Sequence, residues 1–152
     1  MKSLVIYDSV FGNTEKIARA IVDGLGETSS LKHVSTVKPD DLNVDLLVVG
    51  SPTRAFNAMP TLNSFLRSLP SDSLRSVRVA SFDTRVDVGV VDSKVLSTMV
   101  KFFGYAGEKI LKILVSKGGQ SVGTKAFFVL DKEGPLKDGE ILRAQEWAKQ
   151  LH

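Results

Sequence analysis

The sequence predicts an α/β fold in three layers, a doubly wound arrangement with helices on both faces of a five-stranded parallel sheet. Three observations lead there. Short apolar runs recur at Leu4–Tyr7, Leu46–Val49 and Val77–Phe82, with the character of strands buried on both faces. Segments whose apolar residues repeat every three or four positions lie between them. Glycine, proline and hydroxyl-rich turns close the apolar runs. Right-handed crossovers and coverage of both faces then favour the strand order 2-1-3-4-5.

Each element has its own signal. Leu4-Val5-Ile6-Tyr7 is too short and too uniformly apolar for an amphipathic helix. From Thr14 to Leu25, Ile17, Ile21 and Leu25 form one stripe with Ala18 and Val22 beside it, and Gly24 and Gly26 are expected to stop the helix. A polar edge strand is expected around His33 to Val37, ended by Pro39. The buried strand Leu46–Val49 runs into Gly50-Ser51-Pro52-Thr53, and a short helix follows over Thr61–Leu69, closed by Pro70. Val77–Phe82 reads as the fourth strand, leading into the polar loop Asp83–Asp87. Residues 92–117 read as helix, broken or kinked at Gly104 and Gly107. A fifth strand over Lys125–Leu130, the turn at Gly134-Pro135 and a helix from Gly139 to Leu151 complete the pattern.

Length and composition bound the function. A chain of 152 residues with 43% hydrophobic and 24% charged content fits one globular domain, residues 1–152, with a sizeable core. The first apolar run ends at Asp8, far short of a signal peptide or a spanning helix, so a cytoplasmic address and no membrane partner are expected. The absence of cysteine excludes disulfides, thiolate catalysis and Cys-ligated metals. His33 and His152 stand far apart, read as ordinary surface or strand residues, and no metal site is expected. No Ser–His–Asp or Cys–His set and no carboxylate cluster suggests a catalytic side chain.

The net charge of +3 comes entirely from the second half: residues 77–152 hold twelve basic and nine acidic side chains, against eight of each before them. Lys94, Lys101, Lys109, Lys112, Lys117 and Lys125 face only Glu108 over that stretch. Such a basic region keeps a protein soluble or steers an acidic partner. No aromatic residues interleave with these lysines as a base-stacking platform would require, so nucleic acid is not expected.

Two loops carry chemistry. In the predicted order, ligands bind beyond the carboxyl ends of strands 1 and 3. After strand 1 stands Ser9-Val10-Phe11-Gly12-Asn13-Thr14, two hydroxyls, a carboxamide and a glycine at a strand-to-helix junction. Free backbone N–H groups and the helix dipole suit that junction to a phosphate. No Lys or Arg lies within it, so neutral donors would hold the anion. The lysine of a P-loop is missing, and GxGxxG does not occur. After strand 3, Gly50 to Pro60 is long and stiffened by two prolines. Phe56 offers a face for a planar ring there, and Arg54 and Asn57 offer polar groups.

The first loop resembles the phosphate-binding loop of flavodoxins, [ST]-x-T-G-x-T, in a variant with an aromatic third position. GSPTRAFNAMP (50–60) resembles the second flavin loop of flavodoxins and of flavodoxin-like quinone reductases. The likeness covers essentially the whole chain. It implies a flavodoxin-like fold with FMN as cofactor and a protein redox partner. Ser9, Val10, Phe11, Gly12, Asn13 and Thr14 would surround the phosphate. Pro52, Thr53, Arg54, Ala55, Phe56 and Asn57 would line one side of the isoalloxazine, and Phe82, Asp83, Thr84 and Arg85 would form the third loop.

The chain departs from that pattern in being basic rather than acidic, and in having no aromatic between Thr84 and Val91. Phe56 would be the one stacking ring, and Trp147, on the last helix, reads as structural. An arginine near the ring, Arg54 or Arg85, would favour the anionic reduced flavin and raise its potential. The implied function is electron transfer between redox partners. The alternative is an NAD(P)H-dependent quinone or flavin reductase, an FMN-dependent oxidoreductase on the same fold.

Overall fold

A computed structural model describes residues 1–86 and 104–151. Its sheet contains β1 (Ser3–Tyr7), β2 (Ser29–His33), β3 (Leu46–Pro52), β4 (Arg78–Val86) and β5 (Gln120–Val129). The strands are parallel and ordered β2-β1-β3-β4-β5, the predicted order. The described helices are α1 (Asn13–Leu25), α2 (Pro60–Ser68), α3 (Ala106–Ser116) and α4 (Glu140–Lys149). None among the described residues is long and apolar enough to cross a membrane.

The apolar runs of the central strands follow from there being two cores. Side chains alternate along a strand. Leu4, Ile6, Leu47, Val49 and Val79 therefore pack on one face with Leu62 and Leu66 of α2 and Ile110 and Leu114 of α3. Val5, Tyr7, Leu46, Val48, Ala80 and Phe82 pack on the other with Ile17, Ala18 and Ile21 of α1 and Ala144, Trp147 and Ala148 of α4. Each such aliphatic side chain contributes about 1.5–3 kcal/mol by leaving water. Trp147 sits edge-on to Phe127, with ring centroids 6.0 Å apart, in that second core.

Several boundaries differ from the sequence expectation, among them that of β3, which runs on through Gly50, Ser51 and Pro52. β2 ends where the edge strand was placed to begin. His33 Nδ1 accepts the Ser35 N–H and the Thr36 hydroxyl donates to the His33 carbonyl, turning residues 34–36 into a 3-10 turn instead. Gly24 lies inside α1, and Gly26, at φ 98°, ends it. A Cβ at Gly24 would sit 2.5 Å from the Gln145 carbonyl, so this glycine lets α1 and α4 pack closely. β4 continues through Asp83, Thr84 and Arg85, because β3 pairs with it as far as Thr84 and β5 as far as Val86. β5 starts at Gln120, five residues ahead of the expected Lys125. The first part of the expected helix 92–117, with Lys94 and Lys101, lies outside the described residues.

Candidate functional site

The site grows from the carboxyl end of β1. The Asp8 N–H reaches the Gly50 carbonyl at 3.1 Å, its carboxylate accepts the Ser9 N–H at 2.8 Å, and His33 Nε2 lies 3.3 Å from the same oxygen. The chain leaving β1 is thus tied to both neighbouring strands. Ser9 Oγ then accepts the Gly12 N–H at 3.0 Å, closing the loop, with Gly12 at φ 89° where a glycine is favoured. The first bond of α1 is Lys16 N–H to the Gly12 carbonyl. The amides of Val10, Phe11, Asn13, Thr14 and Glu15 consequently have no partner among the described residues.

Side chains around this loop are only partly committed. The buried hydroxyls of Thr14 and Thr84 share one hydrogen bond at 2.7 Å, which leaves one hydroxyl hydrogen for a ligand. The Asn13 carboxamide is used otherwise: its Nδ2 donates to the Glu133 carbonyl at 3.0 Å. Behind the loop, the Tyr7 hydroxyl donates to Glu15 at 2.7 Å. Burial, then that carboxylate, push the Tyr7 phenol up. The Tyr7 hydrogen bond and Arg19 hold the Glu15 carboxyl below its ordinary range.

The second loop turns more tightly than expected. Arg54 and Asn57 exchange backbone hydrogen bonds at 2.8 and 3.0 Å, leaving Ala55 (φ 48°) and Phe56 (φ 66°) in the left-handed region. Two non-glycine residues there cost about 1–2 kcal/mol each. Their surroundings hold the turn: Lys109 Nζ donates to the Phe56 carbonyl (2.6 Å) and to Asn57 Oδ1 (3.0 Å). The Thr53 hydroxyl accepts the Ala106 N–H at 3.0 Å and the Thr53 N–H reaches the Thr84 carbonyl at 2.9 Å. The Arg54 guanidinium lies 5.7 Å from the centre of the Phe11 ring.

The third segment is strand. Phe82 is fully buried and lies on Gly50, where a Cβ would fall 2.1 Å from its ring. Asp83, also fully buried, accepts Arg85 Nε (2.7 Å) and Nη2 (2.6 Å) and the Gly107 N–H (2.8 Å). The Arg85 guanidinium stacks 3.3 Å above the centre of the Tyr105 ring. Its positive charge is therefore matched by Asp83, and the full field of a free arginine assumed from the sequence does not apply to it.

These segments enclose a cavity of about 230 Å³ at the carboxyl edge of β1, β3 and β4. Of the sixteen residues expected at the site, Ser9, Val10, Phe11, Asn13, Thr14, Pro52, Thr53, Arg54, Ala55, Thr84 and Arg85 line it. Gly12, Phe56, Asn57, Phe82 and Asp83 do not. Gly12 shapes the loop, Phe82 and Asp83 are buried beneath it, and the left-handed turn leaves Phe56 and Asn57 off the lining. Among the described residues, the aromatic ring lining the cavity is that of Phe11, 44% exposed. Val86, Val129 and Lys132 line the cavity without having been singled out, and Tyr105 lies under Arg85. The only sequence signal near Lys132 is the Gly134-Pro135 turn beside it.

Comparison with known proteins agrees with this architecture. A region of 57 residues is 47% identical to a flavodoxin of Aquifex aeolicus, covering 34% of this chain and 31% of that protein. The oxidised flavodoxin 1 of Bacillus cereus superposes with a TM-score of 0.75 at 17% identity, over 99% of this chain and 97% of its own. Rubredoxin:oxygen oxidoreductase from Desulfovibrio gigas gives a TM-score of 0.69 at 18% identity, with 99% of this chain spanning 35% of that protein. At such identities the structures speak for the fold. The profile of the flavodoxin domain matches residues 4–105, two thirds of the sequence, and the chain thus belongs to the flavodoxin domain family, whose members bind FMN.

Proposed function

We propose that the cavity holds FMN and that the protein carries electrons between redox partners. The observation that carries this reading is the loop 9–14: five amides with no partner among the described residues, beside the Ser9 and Thr14 hydroxyls, at a helix N-terminus facing a cavity. That donor set fits a phosphate. The cavity is smaller than the roughly 300–1,000 Å³ of ordinary ligand pockets. It suits the phosphate and ribityl end, with the ring lying towards the exposed Phe11, Arg54 and Ala55.

FMN supplies one- and two-electron redox chemistry when bound. The protein's part is to bind and orient it. The amides of loop 9–14 would hold the phosphate, and the Thr14–Thr84 hydroxyl pair would direct its spare hydrogen at the same end. Thr53 and the Arg54–Asn57 turn fix the rim. The Asp83–Arg85 pair, backed by Tyr105, presents a rigid floor of small net charge. No side chain need transfer a proton for such a carrier to work. The lysines of the second half would steer an acidic protein partner, with rates that fall as salt rises.

The test is titration of flavin-free protein with FMN, followed by flavin fluorescence and visible absorption. Stoichiometric quenching and a bound-flavin spectrum are expected. A colourless protein that leaves FMN fluorescence unchanged overturns the proposal. Saturable NADPH oxidation with a quinone as acceptor would replace the carrier by the reductase.

A further inference from the structure

We infer that Lys132 is a specificity residue of the proposed FMN site. It supplies a cation for the phosphate from a loop that Asn13 pins to the head of α1. The inference rests on the FMN reading and adds what the sequence motif lacks, a positive side chain at a loop otherwise made of neutral donors.

The segment after β5 forms a hairpin-like loop with its own bonds. Val129 and Leu136 form an antiparallel bridge, the Leu130 N–H reaches the Pro135 carbonyl at 2.9 Å, and the Gly134 N–H reaches the Asp131 carbonyl at 2.9 Å. Asn13 Nδ2 joins it to α1 through the Glu133 carbonyl at 3.0 Å. A Cβ on Gly134 would lie 2.7 Å from the same carboxamide, so the loop packs directly on Asn13. Asn13 is the first residue of α1, and Lys132 neighbours the residue it holds. Lys132 is thereby brought to the cavity wall that loop 9–14 forms.

The three cations of the lining among the described residues are not equivalent. Arg85 is held by Asp83, and Arg54 stacks on Phe11. Lys132 Nζ has no hydrogen bond or ion pair among the described residues. The neighbouring Asp131 carboxylate is used by the Lys132 backbone N–H, at 2.7 Å. An unpaired ammonium at the wall that carries the free amides is where a phosphate dianion gains most, and a flavin without phosphate gains nothing from it. Asn13, which the sequence suggests as a phosphate donor, is a positioning residue for that ammonium.

Equilibrium titrations of the wild type, Lys132→Gln, Lys132→Arg and Asn13→Ala with FMN and with riboflavin test this, with folding checked by circular dichroism. Lys132→Gln is expected to weaken FMN about two- to fivefold, the scale of a charge pair at an exposed site, and leave riboflavin unchanged. Lys132→Arg should keep most of the preference for FMN. Asn13→Ala should lose the same preference while remaining folded, and the salt dependence of FMN binding should flatten in Lys132→Gln. Equal losses for both flavins, or an unchanged FMN affinity in Lys132→Gln, overturn the inference while the FMN site stands. A wild type that binds neither flavin overturns both.

Discussion

The two walls of the cavity are built on opposite plans. On the wall of loop 9–14, five backbone amides, one hydroxyl hydrogen and the Lys132 ammonium have no partner among the described residues. On the wall of Pro52–Asn57 and β4, the polar groups are largely spent within the protein. Asp83 takes three donors, Thr53 is bonded at both its amide and its hydroxyl, and Lys109 holds the Phe56 carbonyl. One wall leaves its donors unspent, and the other, the support wall, spends its polar groups within the protein. Mutations should accordingly hit ligand affinity first on one side and protein stability first on the other.

The largest expected effect is on the support wall. Asp83→Ala leaves the Arg85 guanidinium, only 14% exposed, without its carboxylate. Breaking a buried pair in this way costs about 3–5 kcal/mol, read as a lower urea midpoint. A loss under 1 kcal/mol would mean that this wall is not held by the pair.

Next comes the base of the Lys132 loop. Glu140, at the start of α4, is buried and accepts the Phe128 N–H at 2.7 Å and Arg143 Nε and Nη2 at 2.8 and 2.6 Å. Burial opposes its ionisation, but the Arg143 and Phe128 hydrogen bonds outweigh it and leave the carboxyl below its ordinary range. A carboxyl lowered in the folded state stabilises above its unfolded pKa. That contribution is lost as pH falls from the ordinary glutamate value through the lowered one. Glu140→Gln should cost about 2 kcal/mol at neutral pH and flatten the acid limb of a stability-against-pH curve. An acid limb identical to that of the wild type would remove Glu140 from the account.

On the other wall, Thr14→Val removes a hydroxyl from the pair with Thr84. FMN affinity is expected to drop about tenfold, with a stability loss of only about 1–2 kcal/mol from the stranded Thr84 hydroxyl. A stability loss without any change in affinity would place Thr14 with the support instead. The smallest effect is a gain. Ala55→Gly relaxes a left-handed alanine and should raise stability by up to about 1 kcal/mol, seen as a higher melting temperature. A lower melting temperature would show that the turn is not strained.

The strands and their order were legible because each central strand serves two cores, which makes its residues continuously apolar. The place of loop 9–14 at the cavity was legible because a strand-to-helix junction at the carboxyl edge of the sheet has a small set of residue types. Lys132 and Tyr105 were not. They come from segments remote in sequence: the β4–β5 pairing and the Asn13–Glu133 bond bring in Lys132, and the Ala106–Thr53 and Gly107–Asp83 bonds bring in Tyr105. Within Pro52–Asn57 the sequence shows which residues are present but not how the chain turns. Phe56 was expected to face the ring, but a turn with two left-handed residues carries it off the lining.

The sequence by itself determined the layer architecture, the sheet order and the edge at which the cavity lies, since hydrophobic periodicity and turn chemistry are local in the chain. The tertiary structure alone decided which polar groups are spent and which are free. Asp83 and Arg85 cancel one another, Asn13 clips a distant loop, and Lys132 at the cavity has no side-chain partner among the described residues. A side chain's type says what it can bond. Whether a partner has already taken it is settled only by what folding places within hydrogen-bonding distance.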